Sequence, residues 1–449
     1  MGHELKTQER TAAPESGAAG TLGSFFKQSA WMGVATVLGG VFMVAVHSVR
    51  MERTQYEVFS AMLRAFLLLG IPSAGLQITF ARQSAAAVRP EDRSRLAATV
   101  RRVLAGIGIL WLALLVAVFL GREAIAGQLR LGDGRALWPT LGVGLMWLLL
   151  PVLRGLLQGS QDFAILGWVA ILDGFLRFSL ILVCVAVLHL GAAGALTGVL
   201  LAMGVTTGIA FWRTRPLWTL PGAAVDWGAW SRHVLPFTLG AGSLLVLANA
   251  DVLYLQAIIP ESEAERFQQG DAYTPAAMIG FALVQFTGQL AVVMFPKIAR
   301  SVAGGERTDA LTLAFLGTLI LGALAVGFVC LFPALPLRIV FFTRPDALAA
   351  APIVPWHTAA MVLFTLANVL VANLLAQGRM RIIPWAVGIA LLYAATLYGL
   401  RNHLPTLQPV LAYRLMPQII GGCSLALLLV AAWMTWGRND PIEGRNIEH

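Results

Sequence analysis

Charge is what this chain has least of. Only 12% of its 449 residues are Asp, Glu, Lys or Arg, against about 25% in a typical soluble domain. A water-facing surface cannot be built from so few charges, and with 58% hydrophobic residues and a mean hydropathy of +0.75 the chain is excluded from the soluble class. Lysine is nearly absent, occurring only as Lys6, Lys27 and Lys297, so the net charge of +9 is carried by arginine. No basic patch interleaved with aromatics lies in a polar segment, which excludes a nucleic-acid partner. Basic loops are instead the usual mark of the cytoplasmic side of a membrane protein. Cys184, Cys330 and Cys423 each sit alone in an apolar run, which excludes a disulfide framework and any cysteine metal spacing. A phosphate-cradling GxxxxGK[ST] is missing, so no ATPase is built in. No polar stretch is long enough to fold as a separate domain.

What is there is a series of apolar runs. About 20 residues rising about 1.5 Å each cross the hydrocarbon core. On that measure the spacing predicts twelve helices, at 28–48, 58–80, 103–121, 137–157, 163–189 and 191–212, then 233–258, 274–296, 308–332, 352–376, 382–400 and 414–436. The closest pair is divided only by HLGAAG at 189–194, which must form a tight turn. The chain then divides into a polar tail at 1–23, a six-helix bundle at 24–212, a Trp- and Pro-rich linker at 213–232, a second bundle at 233–436 and a tail at 437–449. The first tail mixes acids with bases and reads as cytoplasmic, not as a cleavable leader. With the N-terminus inside, the cytoplasmic segments hold nineteen basic residues against ten outside. Both termini are then expected in the cytoplasm. A loop holding Arg82, Arg89, Arg93, Arg95, Arg101 and Arg102 anchors that orientation. LPLRIVFF at 335–342, on the opposite side, is expected to form a short interfacial helix.

The two halves echo each other. FARQSAAAVRPEDRSRL at 80–96 aligns without gaps on FPKIARSVAGGERTDAL at 295–311, and each copy closes the second helix of its half. Likewise GLLQG at 155–159 closes the fourth helix and LLAQG at 374–378 the tenth. With six helices per half, the copies share one orientation and their pseudo-twofold runs along the membrane normal. This combination, with Gly-Ile-Pro preceding FARQ in the second helix, resembles the MOP flippase/exporter superfamily, and within it the polysaccharide-repeat (O-antigen type) flippases. The resemblance spans about residues 24–436. It implies an all-α polytopic protein of two parallel six-helix bundles in a bacterial inner membrane. It further implies that the protein, acting as a monomer without a cofactor, flips an undecaprenyl-pyrophosphate-linked oligosaccharide by alternating access.

Charged groups at membrane depth each cost about 2.5–3.5 kcal/mol even on insertion scales, so each is a site hypothesis. In the first half these are Arg64, Arg154, Asp173 and Arg177, and in the second Asp251. Asp173 and Arg177 are four residues apart and can pair as a neutral structural unit. Arg64 and Arg154 are then left as unpaired cations. Guanidinium binds phosphate in bidentate fashion, so Arg64, Arg154 and Arg177 are the candidate anion-binding groups. Snorkelling towards the interfaces is the alternative role for Arg64 and Arg154. Asp251, with Asn249 beside it, is the candidate cation-coupling group. The resemblance to lipid II flippases implies a sodium site there, but 382–400 offers Tyr393 and Thr396 and no acidic or amide partner. Coupling to protons or to sodium both stay open. Gln77, Gln285, Gln289, Asn368 and Asn373 could join helices or touch sugar hydroxyls.

Two rival functions fit the sequence less well. A MATE-type efflux antiporter is expected to carry an acid in its first helix, and 28–48 has none. A polytopic glycosyltransferase or ligase needs carboxylates or arginines on a substantial outer loop, whereas the outside segments here are short and the first carries only Glu52 and Glu57.

Overall fold

The computed structural model describes residues 18–46, 53–128, 135–221, 224–225, 227–258, 273–305, 308–341, 345–404 and 409–437. Among the described residues twelve long helices are present, the number the apolar runs predict. In the first half they are α1 (Ala18–Val46), α2 (Arg53–Ala86), α3 (Pro90–Gln128), α4 (Leu137–Gly159), α5 (Phe163–Leu182) and α6 (Gly191–Trp218). The second half holds α7 (Trp227–Ile258), α8 (Tyr273–Gly304), α9 (Ala310–Leu331), the short α10 (Ala334–Val340), α11 (Val354–Ala376), α12 (Ile382–Leu400) and α13 (Pro409–Trp436). Hydrocarbon offers no partner for backbone N–H and C=O groups, so each apolar run closes its own ladder as a helix. Ten of these helices, α3 to α9 and α11 to α13, are long and apolar enough over their described residues to cross a membrane. Near Leu335, where a short helix is expected, lies α10, held by the buried Leu337 with Ile339 exposed.

Several boundaries differ from the sequence expectation. The arginine loop is mostly helix: α2 continues to Ala86 and α3 starts at Pro90, so of the six arginines only Arg89 lies in the connection. Hydrophobic length marks where a helix leaves lipid, but nothing ends the helix there. Pro90 fits the first helical position, and Glu91 and Asp92 in the first turn favour the N-terminal dipole. The linker likewise shrinks, because α6 runs to Trp218 and α7 begins at Trp227. Helix also enters the expected first tail, from Ala18. The HLGAAG turn forms as required, with His189 and Gly191 at φ of 53° and 55°. Before it, α5 passes into one π-turn at Val183–Val187.

The two halves pack alike. In the first, α2 lies on α4, α1 on α5, and α6 on both α4 and α5; in the second, α8 lies on α11, α7 on α12, and α13 on both α11 and α12. Between halves the contacts exchange in the same sense, α1 with α8 and α2 with α7. Lipid supplies no hydrophobic drive between helices, so close approach relies on small residues. A Cβ on Gly155 of α4 would stand 2.5 Å from the Gln77 carbonyl oxygen of α2, and one on Gly174 of α5 would stand 2.7 Å from Gly39 Cα of α1. The most enclosed helix is α11, whereas α3 turns Ile109, Leu110, Leu112 and Leu120 outward.

Candidate functional site

Two clusters of polar side chains lie inside the bundle, one in each half. In the first half, Arg154 on α4 and both Asp173 and Arg177 on α5 form one ionic group. Arg177 grips Asp173 with two bonds, Nε to Oδ1 at 3.0 Å and Nη2 to Oδ2 at 2.9 Å. The i,i+4 spacing on one helix face sets this geometry. Arg154 Nη2 donates to the same Oδ2 at 3.2 Å. This corrects the sequence reading, in which Arg154 stands unpaired. The pairing was invisible there because it joins two helices whose faces the chain alone does not align. The three groups together carry one net positive charge. Their exposures differ: the Arg177 side chain is 9% exposed and lies 5.9 Å from the Trp147 ring centre, whereas Arg154 is 27% exposed. Arg64 lies on α2, but its side chain is outside the described residues.

The second cluster surrounds Asp251 on α7, which is fully buried. Tyr273 on α8 donates its hydroxyl to Asp251 Oδ2. His357 on α11 brings Nε2 to 3.6 Å from the same oxygen. Tyr273 stands edge-on to His357, with ring centres 5.7 Å apart, and lies tilted by 33° against Tyr413 of α13 at 6.0 Å. Tyr393 of α12, a residue the sequence singled out, lies buried within electrostatic reach of the carboxylate. Thr396 instead bonds the Leu392 carbonyl of its own helix. Gly280 on α8 makes room for the imidazole, since a Cβ there would collide with His357 Nδ1. Among the described residues, Asp251 Oδ1, both His357 nitrogens and the Tyr393 hydroxyl have no hydrogen-bond partner. His357 and Tyr273 were missed from sequence. A histidine counted as neutral does not register as a charge at membrane depth, and Tyr273 reads as one more apolar aromatic.

The remaining candidates are divided. Asn249 donates to the Leu245 carbonyl on its own helix and makes no bond to Asp251. Gln77 donates to Gln158 Oε1 at 3.3 Å, and Gln158 donates on to the Val292 carbonyl of α8 at 3.1 Å. These amides therefore join α2, α4 and α8 across the halves. Gln289 bonds the Gln285 carbonyl one turn back, on an exposed stretch of α8. Asn373 is buried and accepts from Gln377, and Asn368 lies half-buried on the same helix. Near Gln158, aromatic and basic side chains of the two halves meet. Phe80 lies 6.5 Å from Trp230, Arg82 lies 5.6 Å from Phe237, and Lys297 of α8 lies 6.0 Å from Phe25 of α1.

No protein-family model and no curated protein matches the chain by sequence. Its fold does match solved structures. A MATE protein in complex with MaD3S superposes with a TM-score of 0.74 at 15% identity, over 92% of this chain and 96% of that one. A MOP superfamily transporter from Pyrococcus furiosus, described as having a binding pocket of reverse polarity that suggests a different function, gives 0.72 at 14% identity, over 93% and 95%. An outward-facing multidrug resistance MATE family transporter of the MOP superfamily gives 0.65 at 15%, over 92% and 95%. The likeness is one of fold. The chain is an all-helical, multi-pass membrane protein whose two six-helix halves are arranged as in these solved structures.

Proposed function

We propose that this protein flips an undecaprenyl-pyrophosphate-linked oligosaccharide from the inner to the outer leaflet of a bacterial inner membrane. The observation that carries this reading is the first-half cluster of Arg154, Asp173 and Arg177. Its net charge is positive, and it presents one part-exposed guanidinium inside a transporter fold. For the P. furiosus protein of similar fold, a binding pocket of reverse polarity is described as suggesting a different function, which supports reading function from charge here. A cationic cluster suits a pyrophosphate and repels the cations an efflux pump would carry. The prenyl tail stays in lipid while the headgroup crosses between the bundles. The halves, related by a pseudo-twofold along the membrane normal, rock about α1, α2, α7 and α8. With the arginine-rich end in the cytoplasm, that end must open to admit substrate, which requires the Gln158 bond to Val292 to break.

Asp251 and His357 are the coupling pair in this reading. One bound proton makes the pair neutral and its loss leaves one negative charge, a change that a buried site registers strongly. The MATE structures among the fold matches favour a second reading, drug efflux.

Flipping of a fluorescent pyrophosphate-linked oligosaccharide in proteoliposomes tests both. The wild type is expected to flip it, Arg154→Ala to slow flipping about tenfold or more, and Asp251→Asn to flip without response to a proton gradient. Cation efflux without oligosaccharide flipping would establish the second reading in place of the first. An unchanged gradient response in Asp251→Asn would return Asp251 to a structural role.

A further inference from the structure

We infer that Asp173 is an exchangeable counter-ion, occupying on Arg154 the place that a substrate phosphate takes during transport. The inference rests on the anionic-headgroup reading above and deepens it. Arg154 and Arg177 share one oxygen, Oδ2, but not on equal terms. Arg177 holds the carboxylate through both oxygens, at 3.0 and 2.9 Å, and is buried. Arg154 holds it by one bond of 3.2 Å, longer than the roughly 2.7–2.9 Å of a strong ionic hydrogen bond. Among the described residues that is the one hydrogen bond Arg154 makes, so the rest of its planar fork is free for an incoming anion. Its side chain is also three times as exposed as that of Arg177, 27% against 9%.

The consequences are asymmetric. A phosphate that approaches Arg154 can replace one weak bond with a bidentate pair. Asp173 then stays tethered by Arg177, so the carboxylate is displaced without being lost and can return when the substrate leaves. With no substrate bound, Asp173 lowers the cost of two cations at membrane depth. Arg177 is thus the tether, Arg154 the substrate contact, and Asp173 the group that competes with the substrate.

The test is binding to the purified full-length protein in detergent, with inorganic pyrophosphate and a short-chain prenyl pyrophosphate as probes in titration calorimetry. Removing the competing charge in Asp173→Asn should tighten pyrophosphate binding by about tenfold, and Arg154→Ala should abolish it. Weaker or unchanged binding by Asp173→Asn would overturn the exchange and make Asp173 a support for Arg154. No binding by the wild type or by Asp173→Asn would instead overturn the anion-site reading on which the exchange rests. Tighter binding of the prenyl pyrophosphate than of inorganic pyrophosphate assigns the anion to a lipid headgroup, and equal affinity overturns that part. If Asp173→Asn does not fold, the unaltered protein still decides. Pyrophosphate should protect Arg154 from phenylglyoxal while Arg177 stays unreactive in either condition, and an unprotected Arg154 would overturn the proposal.

Discussion

Arg154 and Arg177 share a carboxylate, and the difference in their burial makes different demands on stability. Arg177 sits against Trp147 and holds both oxygens of Asp173. Its removal leaves Asp173 with a single weak partner in a poorly solvated place. Arg177→Ala is expected to destabilise the protein by about 3 kcal/mol, seen as a lower melting temperature in detergent. Arg154, part-exposed and singly bonded, should cost about 1 kcal/mol or less when changed to Ala. Equal losses in the two variants would mean that the triad acts as one structural unit. The Asp251 group shows the same logic with less solvent. Its carboxylate takes a hydroxyl from Tyr273 but leaves Oδ1 unbonded. A buried polar atom without a partner is a liability unless it is used; Asn373 Nδ2 is also unpartnered, but of the two only Asp251 can change its charge, so the proposed coupling role falls to it.

At the scale of the helix, the decisive property is how closely backbones approach. GLLQG stands at the end of α4 because its first glycine lets that helix lie against the backbone of α2. A methyl group on Gly155 would meet the Gln77 carbonyl oxygen at 2.5 Å and Phe80 Cβ at 3.1 Å. The oxygen belongs to a helix ladder and cannot swing aside. Gly155→Ala is therefore expected to destabilise the fold by about 1–3 kcal/mol. Gly288 on α8 is the control, since nothing lies within 4 Å of a Cβ there. Gly288→Ala should be neutral or stabilising, by up to about 1 kcal/mol from helix propensity. A paired thermal-unfolding measurement checks both, and a neutral Gly155→Ala would mean that the α2–α4 contact yields easily. In the second half LLAQG reaches the same place by another device. Its glycine, Gly378, turns the chain at φ +80° after α11 and lies against the Arg82 guanidinium of α2.

The molecule as a whole is two similar bundles whose contacts exchange between halves, and its orientation rests on where arginine is concentrated. Translocation of short loops rich in Lys and Arg is disfavoured, so the connection between α2 and α3 should face the cytoplasm and α10 the opposite side. Glu91 and Arg338 are both exposed. In a cysteine-free background, Glu91→Cys should react with a membrane-impermeant maleimide only in inverted vesicles, and Arg338→Cys only in intact cells with the outer membrane permeabilised. The reverse pattern would invert the molecule and the direction of transport. Sequence alone was enough for the twelve helices, their division into halves, the turn at His189 and the i,i+4 pairing of Asp173 with Arg177. Those features are local: hydrophobic length, turn residues and helical spacing are written along the chain. It could not show that Arg154 shares Asp173, that Gln158 bonds across to α8, or that His357 and Tyr273 close on Asp251. Each of these joins side chains on different helices, between 19 and 134 residues apart. Which helix faces meet is settled by packing among all twelve, and the tertiary structure alone decides it.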